Sequence, residues 1–284
     1  MRRAFLVLVM LAGCTPAQVP QPRYILGEPY RLGGLWSYPR EEFGLNEAGI
    51  ADIMPRQPGL TANGEARDAQ AMVAAHRIFQ LPAIVTVTNL ENGRSLRLRV
   101  HDRGPVLAGR VIGVSPRAAA LLGATGPFQA RVVVDGQASR RAIEGLPGQA
   151  TPLAIEAAPV GRVERESLAP PAGARGVAGR VETASRPQAE TASAAREPER
   201  LPEQVIQGAP APGLIWLEAG RFFRRDLAQA QATRIGGRAE PFGPPGRQQQ
   251  WRVRSGPYRS IAEADSAMAR AVAMGQPDLR LAVE

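Results

Sequence analysis

The whole chain of 284 residues holds two histidines, His76 and His101, and both lie in a central stretch with a handful of carboxylates. The single cysteine, Cys14, sits far away near the amino terminus. No Cys/His group has the spacing of metal ligands, and no serine stands in a G-x-S-x-G elbow. Neither a metal site nor a cofactor is therefore expected. What remains is proton transfer by carboxylate and imidazole, the chemistry that cleavage of a glycosidic bond requires.

A β-rich domain over residues 49–135 has to position these groups. Ile84-Val85-Thr86-Val87-Thr88 alternates and is β-branched, and Leu96, Leu98 and Val100 share one face of the next run while Arg97 and Arg99 share the other. Asn92-Gly93 between them is the signature of a type I′ turn, so the two runs are read as a hairpin. Ser115-Pro116 is an N-cap followed by proline at the first helical position, Gly123 closes the short helix, and Arg131 to Val134 forms one more strand.

Residues 136–212 lose this periodicity and fill with Ala, Pro, Gly, Arg and Glu, a composition that buries too little apolar surface to offset ordering entropy. They are read as a disordered linker. Beyond it, residues 213–284 follow the order strand, helix, strand, helix, strand, a small α+β unit. Residues 14–48 are too rich in Gly and Pro for a core of their own, and are expected to be a tether packed on the β domain.

The amino terminus points to export. Arg2 and Arg3 precede the apolar run Ala4 to Leu11, too short to span a bilayer and arranged as a secretory signal, so residues 1–13 are read as a signal peptide. The run ends Leu11-Ala12-Gly13-Cys14, which resembles the lipobox of bacterial lipoproteins and marks Cys14 for acylation. Thr15 in place of Asp resembles the pattern that directs such proteins to the outer membrane, facing the periplasm. The net charge of +9 is carried by Arg alone, since no Lys occurs. Clustered cations suit nucleic acid, an anionic membrane or an acidic polymer equally, and export argues against nucleic acid.

Four linked motifs carry a resemblance. Thr61-Ala62-Asn63-Gly64-Glu65, Ala74-Ala75-His76, Val87 to Arg94 and Asp102-Arg103-Gly104-Pro105 are similar, in order and spacing, to the core of the rare lipoprotein A family. That resemblance implies a six-stranded double-psi β-barrel and a groove in which Glu65, His76 and Asp102 converge. It implies lytic transglycosylase activity on peptidoglycan glycan strands, cutting the MurNAc-GlcNAc β-1,4 bond with the C6 hydroxyl as nucleophile to leave a 1,6-anhydro end. Asp102 would then protonate the leaving oxygen and deprotonate that hydroxyl, with Glu65 as the neighbouring carboxylate that tunes it and His76 as the group that orients it. Residue by residue, plainer readings exist: Glu65 as a solvated turn carboxylate, His76 at a helix end, Asp102 as a loop cap.

The chain also departs from the family. Ile53-Met54-Pro55 replaces an aromatic W-Y-G stretch, His101 stands where Asn usually precedes the Asp, and Ile112-Gly113-Val114-Ser115 lacks an Asp. The C-terminal unit resembles a SPOR domain, a small ferredoxin-like module that binds glycan strands stripped of stem peptides. Its candidate contacts are Arg252, Arg254, Tyr258 and Arg259, the arginines pairing with freed lactyl carboxylates. The expected protein is an outer-membrane lipoprotein, held by a lipid anchor, that remodels septal peptidoglycan during daughter-cell separation, with divisome proteins as possible partners. The alternative is a non-catalytic, expansin-like peptidoglycan-binding scaffold.

Overall fold

The computed structural model describes residues 19–148, 200–246 and 249–284. Cys14 and the expected signal peptide lie outside them, as does the greater part of the expected linker. The chain begins with a small hairpin, β1 (Tyr30–Leu32) and β2 (Leu35–Ser37). There follow β3 (Asn46–Ile53), β4 (Val73–Ala75), β5 (Ala83–Asn89), β6 (Arg94–Asp102), β7 (Arg110–Val114), α1 (Pro116–Leu121), β8 (Phe128–Val134) and α2 (Gly136–Ile143). A short β9 (Ile206–Gln207) precedes the last unit: β10 (Ile215–Phe222), α3 (Arg225–Arg234), β11 (Arg238–Phe242), β12 (Gln250–Tyr258), α4 (Ile261–Ala273) and β13 (Leu279–Val283).

Six strands close on themselves in the order β3-β7-β4-β6-β5-β8 and back to β3. The pairs β3–β7 and β4–β6 are parallel and the other four antiparallel, the mixed pattern of a double-psi barrel. Alternation drives closure, since Leu96, Leu98 and Val100 of β6 and Val85 and Val87 of β5 all point into one core with Phe128 and Ile112. Ser115 caps α1 by accepting from the Ala118 amide, with Pro116 at the first position and Gly123 at φ 71 beyond it.

Two local expectations are corrected. The β5–β6 turn spans four residues, and only Gly93 of the Asn92-Gly93 pair takes positive φ (77), so it is not the two-residue type I′ turn. The Asn89 and Asn92 amides instead donate to the Leu122 carbonyl at 3.0 and 2.8 Å, pinning the turn to the end of α1. Second, both ends of the expected linker are folded. Asp135 caps α2, and β9 extends the edge of β6, where Gly208 N–H donates to the Gly93 carbonyl at 2.8 Å. Composition had hidden them because α2 buries only Ala138, Ser139 and Ile143, and β9 contributes backbone pairing with both residues exposed.

The C-terminal unit forms an antiparallel sheet in the order β11-β12-β10-β13, with α3 and α4 on one face. The periodicity reading had missed β11, whose Pro241 is tolerated because the strand lies at the sheet edge. At the other edge β13 pairs with β3 through Ala282 and Gly49, and Leu281 and Met268 share a hydrophobic cluster with Ile50 and Ala108 of the barrel. The two units therefore meet in one packed junction.

Candidate active site

The loop from Thr61 to Glu65 is folded by its own side chains. The Thr61 hydroxyl donates to Asn63 Oδ1 at 2.7 Å, and the Glu65 amide donates back to Thr61 Oγ1 at 3.1 Å. Gly64 completes the turn at φ 82, with the Gln21 carbonyl so close that a side chain there would collide with it. This geometry turns Glu65 inward, where it is 5% exposed rather than solvated. Arg99 and His101, two apart on β6 and hence on one face, meet it there. Glu65 Oε1 accepts from Arg99 Nη2 at 2.8 Å and from Asn63 Nδ2 at 2.7 Å, while Oε2 lies 3.0 Å from His101 Nδ1. Burial alone would raise the pKa of Glu65, but hydrogen bonds from His101 and Arg99 and the positive charge behind them hold it at about 2. Glu65 is thus an ionised anchor for two β6 side chains, its charge already neutralised before it could press on Asp102.

Asp102 ends the same strand. Its Oδ1 accepts from the Ala62 amide at 2.9 Å and the Arg103 amide at 2.8 Å, and its Oδ2 lies 2.9 Å from Arg67 Nη2. Two backbone donors fix the carboxylate, and Arg67, about a third exposed, is its only side-chain partner among the described residues. Asp102, His101, Arg67 and Arg103 lie in a groove of about 800 Å³. Met54, Pro55, Pro105 and Leu107 form its barrel walls, and Met268 and Val272 of α4 form the wall across from them.

His76 takes no part in that groove. Its amide donates to the Asp102 carbonyl at 3.1 Å, but its ring stacks on Phe79, with centroids 3.5 Å apart and planes 15° apart. Nδ1 accepts from the Ile78 and Phe79 amides at 3.3 Å, so the ring serves as a loop cap after β4, and not at a helix end. Burial, then the cations Arg103, Arg40 and Arg77, lower its pKa to about 3. The imidazole is neutral and makes no hydrogen bond to the Asp102 carboxylate; it borders a second cleft, of about 680 Å³, that also contains Trp36 and Tyr38.

The four candidate contacts on the C-terminal unit divide. Arg252 pairs with Glu218 at 3.2 Å and with Glu284, and Arg254 pairs with Glu240 at 2.6 Å and Glu284 at 2.8 Å while lying over Trp216. These cations are neutralised by the unit's own carboxylates, so bidentate pairing with a lactyl group would first have to displace those. Tyr258 bonds Ser255 at 2.5 Å and packs on the core, and Arg259 is exposed, its amide donating to Glu263 at 2.9 Å. Sequence reasoning named His101 among the groups able to move protons but gave it no role, and it missed Arg99, Arg67 and the α4 wall. The two-residue spacing of Arg99 and His101 was a signal for Arg99; nothing local signalled the others.

A closed mixed barrel whose groove holds a backbone-fixed carboxylate, joined to a small α/β sheet unit, defines a two-unit protein of double-psi barrel type. Comparison with known proteins gives the family. A family described as lytic transglycolase matches residues 46–135, and the SPOR domain family matches residues 211–279. A Pseudomonas aeruginosa (strain UCBPP-PA14) protein named endolytic peptidoglycan transglycosylase RlpA is 34% identical, covering 93% of this chain and 80% of its own length. The Escherichia coli K12 protein of that name is 28% identical over 93% of this chain and 85% of its own, and a Nostoc sp. relative, named as probable, is 43% identical over 32% of this chain and 26% of its own. The chain belongs to the RlpA family of lytic transglycosylases.

Proposed function

We propose that the groove cleaves the MurNAc-GlcNAc β-1,4 bond of stem-peptide-free glycan strands and leaves 1,6-anhydroMurNAc ends. The observation that carries this reading is Asp102, fixed by two amides in the lining of an open groove of about 800 Å³. In the reaction Asp102 carries a proton on Oδ2 and gives it to the departing glycosidic oxygen, Arg67 having swung aside, while the C6 oxygen bonds to the anomeric carbon and releases its hydroxyl proton to a base in the groove. One acid suffices for bond cleavage because the nucleophile belongs to the sugar, whereas a hydrolase ordinarily positions water with a second carboxylate. Met54, Pro55 and Leu107 supply the apolar surface against which the sugar rings pack.

The same proposal places the protein in the cell envelope. Acylation at Cys14 would anchor it in the outer membrane facing the periplasm, and the SPOR unit would bring it to septal, denuded strands, where divisome proteins act. A Cys14→Ser variant is expected to lose fatty-acid incorporation and membrane fractionation; retention of both would refute the anchor.

The activity itself is tested by incubating the protein with purified denuded strands and measuring anhydro ends by mass spectrometry. Wild type should produce them, and Asp102→Asn, which keeps shape and hydrogen bonding, should slow their formation by about 100-fold or more. Binding without anhydro ends in the wild type would decide for an expansin-like scaffold. That second reading draws on the groove lining, where no Phe, Trp or Tyr occurs among the described residues.

A further inference from the structure

We infer that His101, held by Glu65, is the base that receives the proton of the attacking C6 hydroxyl, so that acid and base work are divided between neighbouring residues of β6. This inference rests on the transglycosylase reading above. The resemblance to the family assigns both proton transfers to Asp102 and gives His101 no role, since an Asn usually fills that position.

The geometry separates the two tasks. Asp102 has one oxygen capped by the Ala62 and Arg103 amides, leaving Oδ2 alone for chemistry. His101 precedes it on the strand, and both residues line the same groove, His101 with only 3% of its surface exposed. Its Nδ1 is committed to Glu65 Oε2 at 3.0 Å, and no described residue hydrogen-bonds its Nε2. A carboxylate accepting from Nδ1 fixes the tautomer, leaving the Nε2 lone pair as proton acceptor, and stabilises the imidazolium that forms. Arg99 completes the chain by holding Glu65 ionised through two nitrogens, with Nε at 3.1 Å and Nη2 at 2.8 Å from Oε1.

The step balances. The C6 oxygen bonds to the anomeric carbon and its proton passes to His101 Nε2. The bond from that carbon to the glycosidic oxygen breaks, and the oxygen leaves as the GlcNAc 4-hydroxyl with the proton of Asp102. One proton then returns from His101 to Asp102, directly or through water, and no water is consumed. The charged groups facing His101 are Glu65 and Arg99 on its buried side. The other charged residues lining the groove with it are Asp102, Arg67, Asp68, Arg103 and Asp52, with Asp265 on the α4 wall.

Two isosteric variants separate catalysis from scaffolding. In His101→Asn the side-chain amide takes the place of Nδ1 and still donates to Glu65, but nothing replaces Nε2; in His101→Gln the amide sits near Nε2 and cannot accept a proton. Both should fold and bind denuded strands as wild type does, yet form anhydro ends about 100-fold more slowly. Both should also change the pH profile of anhydro-end formation. Anhydro ends from either folded variant at the wild-type rate and with the wild-type pH profile would overturn the role of His101 alone. No anhydro ends from the wild type at any pH would overturn the transglycosylase reading, and this inference with it. Should Asn at 101 prevent folding, the Gln variant decides by the same two measurements.

Discussion

The Arg110 guanidinium and the Asp265 carboxylate meet side by side at 2.5 and 2.8 Å across the junction between the barrel and the SPOR unit. Arg110 is 1% exposed in its side chain, Asp265 is 31% exposed, and a second carboxylate, Asp52, lies 3.9 Å from the cation. The contact fixes α4 as a wall of the groove, so the two family domains share one site in place of merely sharing a chain.

Asp265→Ala should therefore leave a buried cation without its main partner and lower stability by about 2–3 kcal/mol, below the full cost of breaking a wholly buried pair because Asp265 is partly solvated. Urea unfolding measures this. Adding Arg110→Met should recover more than half the loss, and a single variant as stable as wild type would show that the pair does not hold the junction.

Glu65→Gln should act on the fold first. The substitution leaves Arg99 buried opposite a neutral amide, at a cost of about 3 kcal/mol, and Arg99→Met on the same background should restore most of it. An urea midpoint unchanged by Glu65→Gln would contradict the anchoring role.

Acid should destabilise the barrel in two windows. Both His76 and Glu65 have folded pKa values below their ordinary ones, so the unfolded chain takes up protons first, and stability present at neutral pH is lost on acidification. His76 acts as pH falls from 6.5 toward about 3, and Glu65 from 4.5 toward about 2. His76→Asn keeps an acceptor for the Ile78 and Phe79 amides and removes the titration. Its melting temperature should fall less steeply than wild type between pH 6.5 and 4.5, and parallel curves would exclude His76 as the source.

Arg254→Ala should cost about 1–2 kcal/mol, because it breaks partly buried contacts with Glu240, Glu284 and Trp216. Affinity for denuded strands, measured by calorimetry, should fall by less than about threefold, or roughly 0.6 kcal/mol. A loss of about tenfold at unchanged stability would instead show that the network opens to bind glycan.

Much of the barrel was legible because its determinants are local. Alternation at Leu96, Leu98 and Val100 chose the inward face of β6, Ser115-Pro116 and Gly123 bounded α1, and the order of four short motifs marked the domain. Asp102 stood out as a candidate through the family resemblance, since Asp102-Arg103-Gly104-Pro105 is a contiguous motif. The sequence by itself did not determine what each polar group would touch. Glu65 and Arg99 are 34 positions apart, and only closure of the barrel makes them a pair that turns a candidate tuning carboxylate into an anchor. His76 follows Ala75 at the end of β4, but the ring of Phe79, three residues on, withdraws it from the groove. Asp265 lies 155 positions from Arg110, and no pattern in either segment specifies the other. Local backbone preference and hydrophobic period act over a few residues and can be read from the chain. The partner of a buried charge is chosen by which strands and helices are brought together, and that was decided by the tertiary structure.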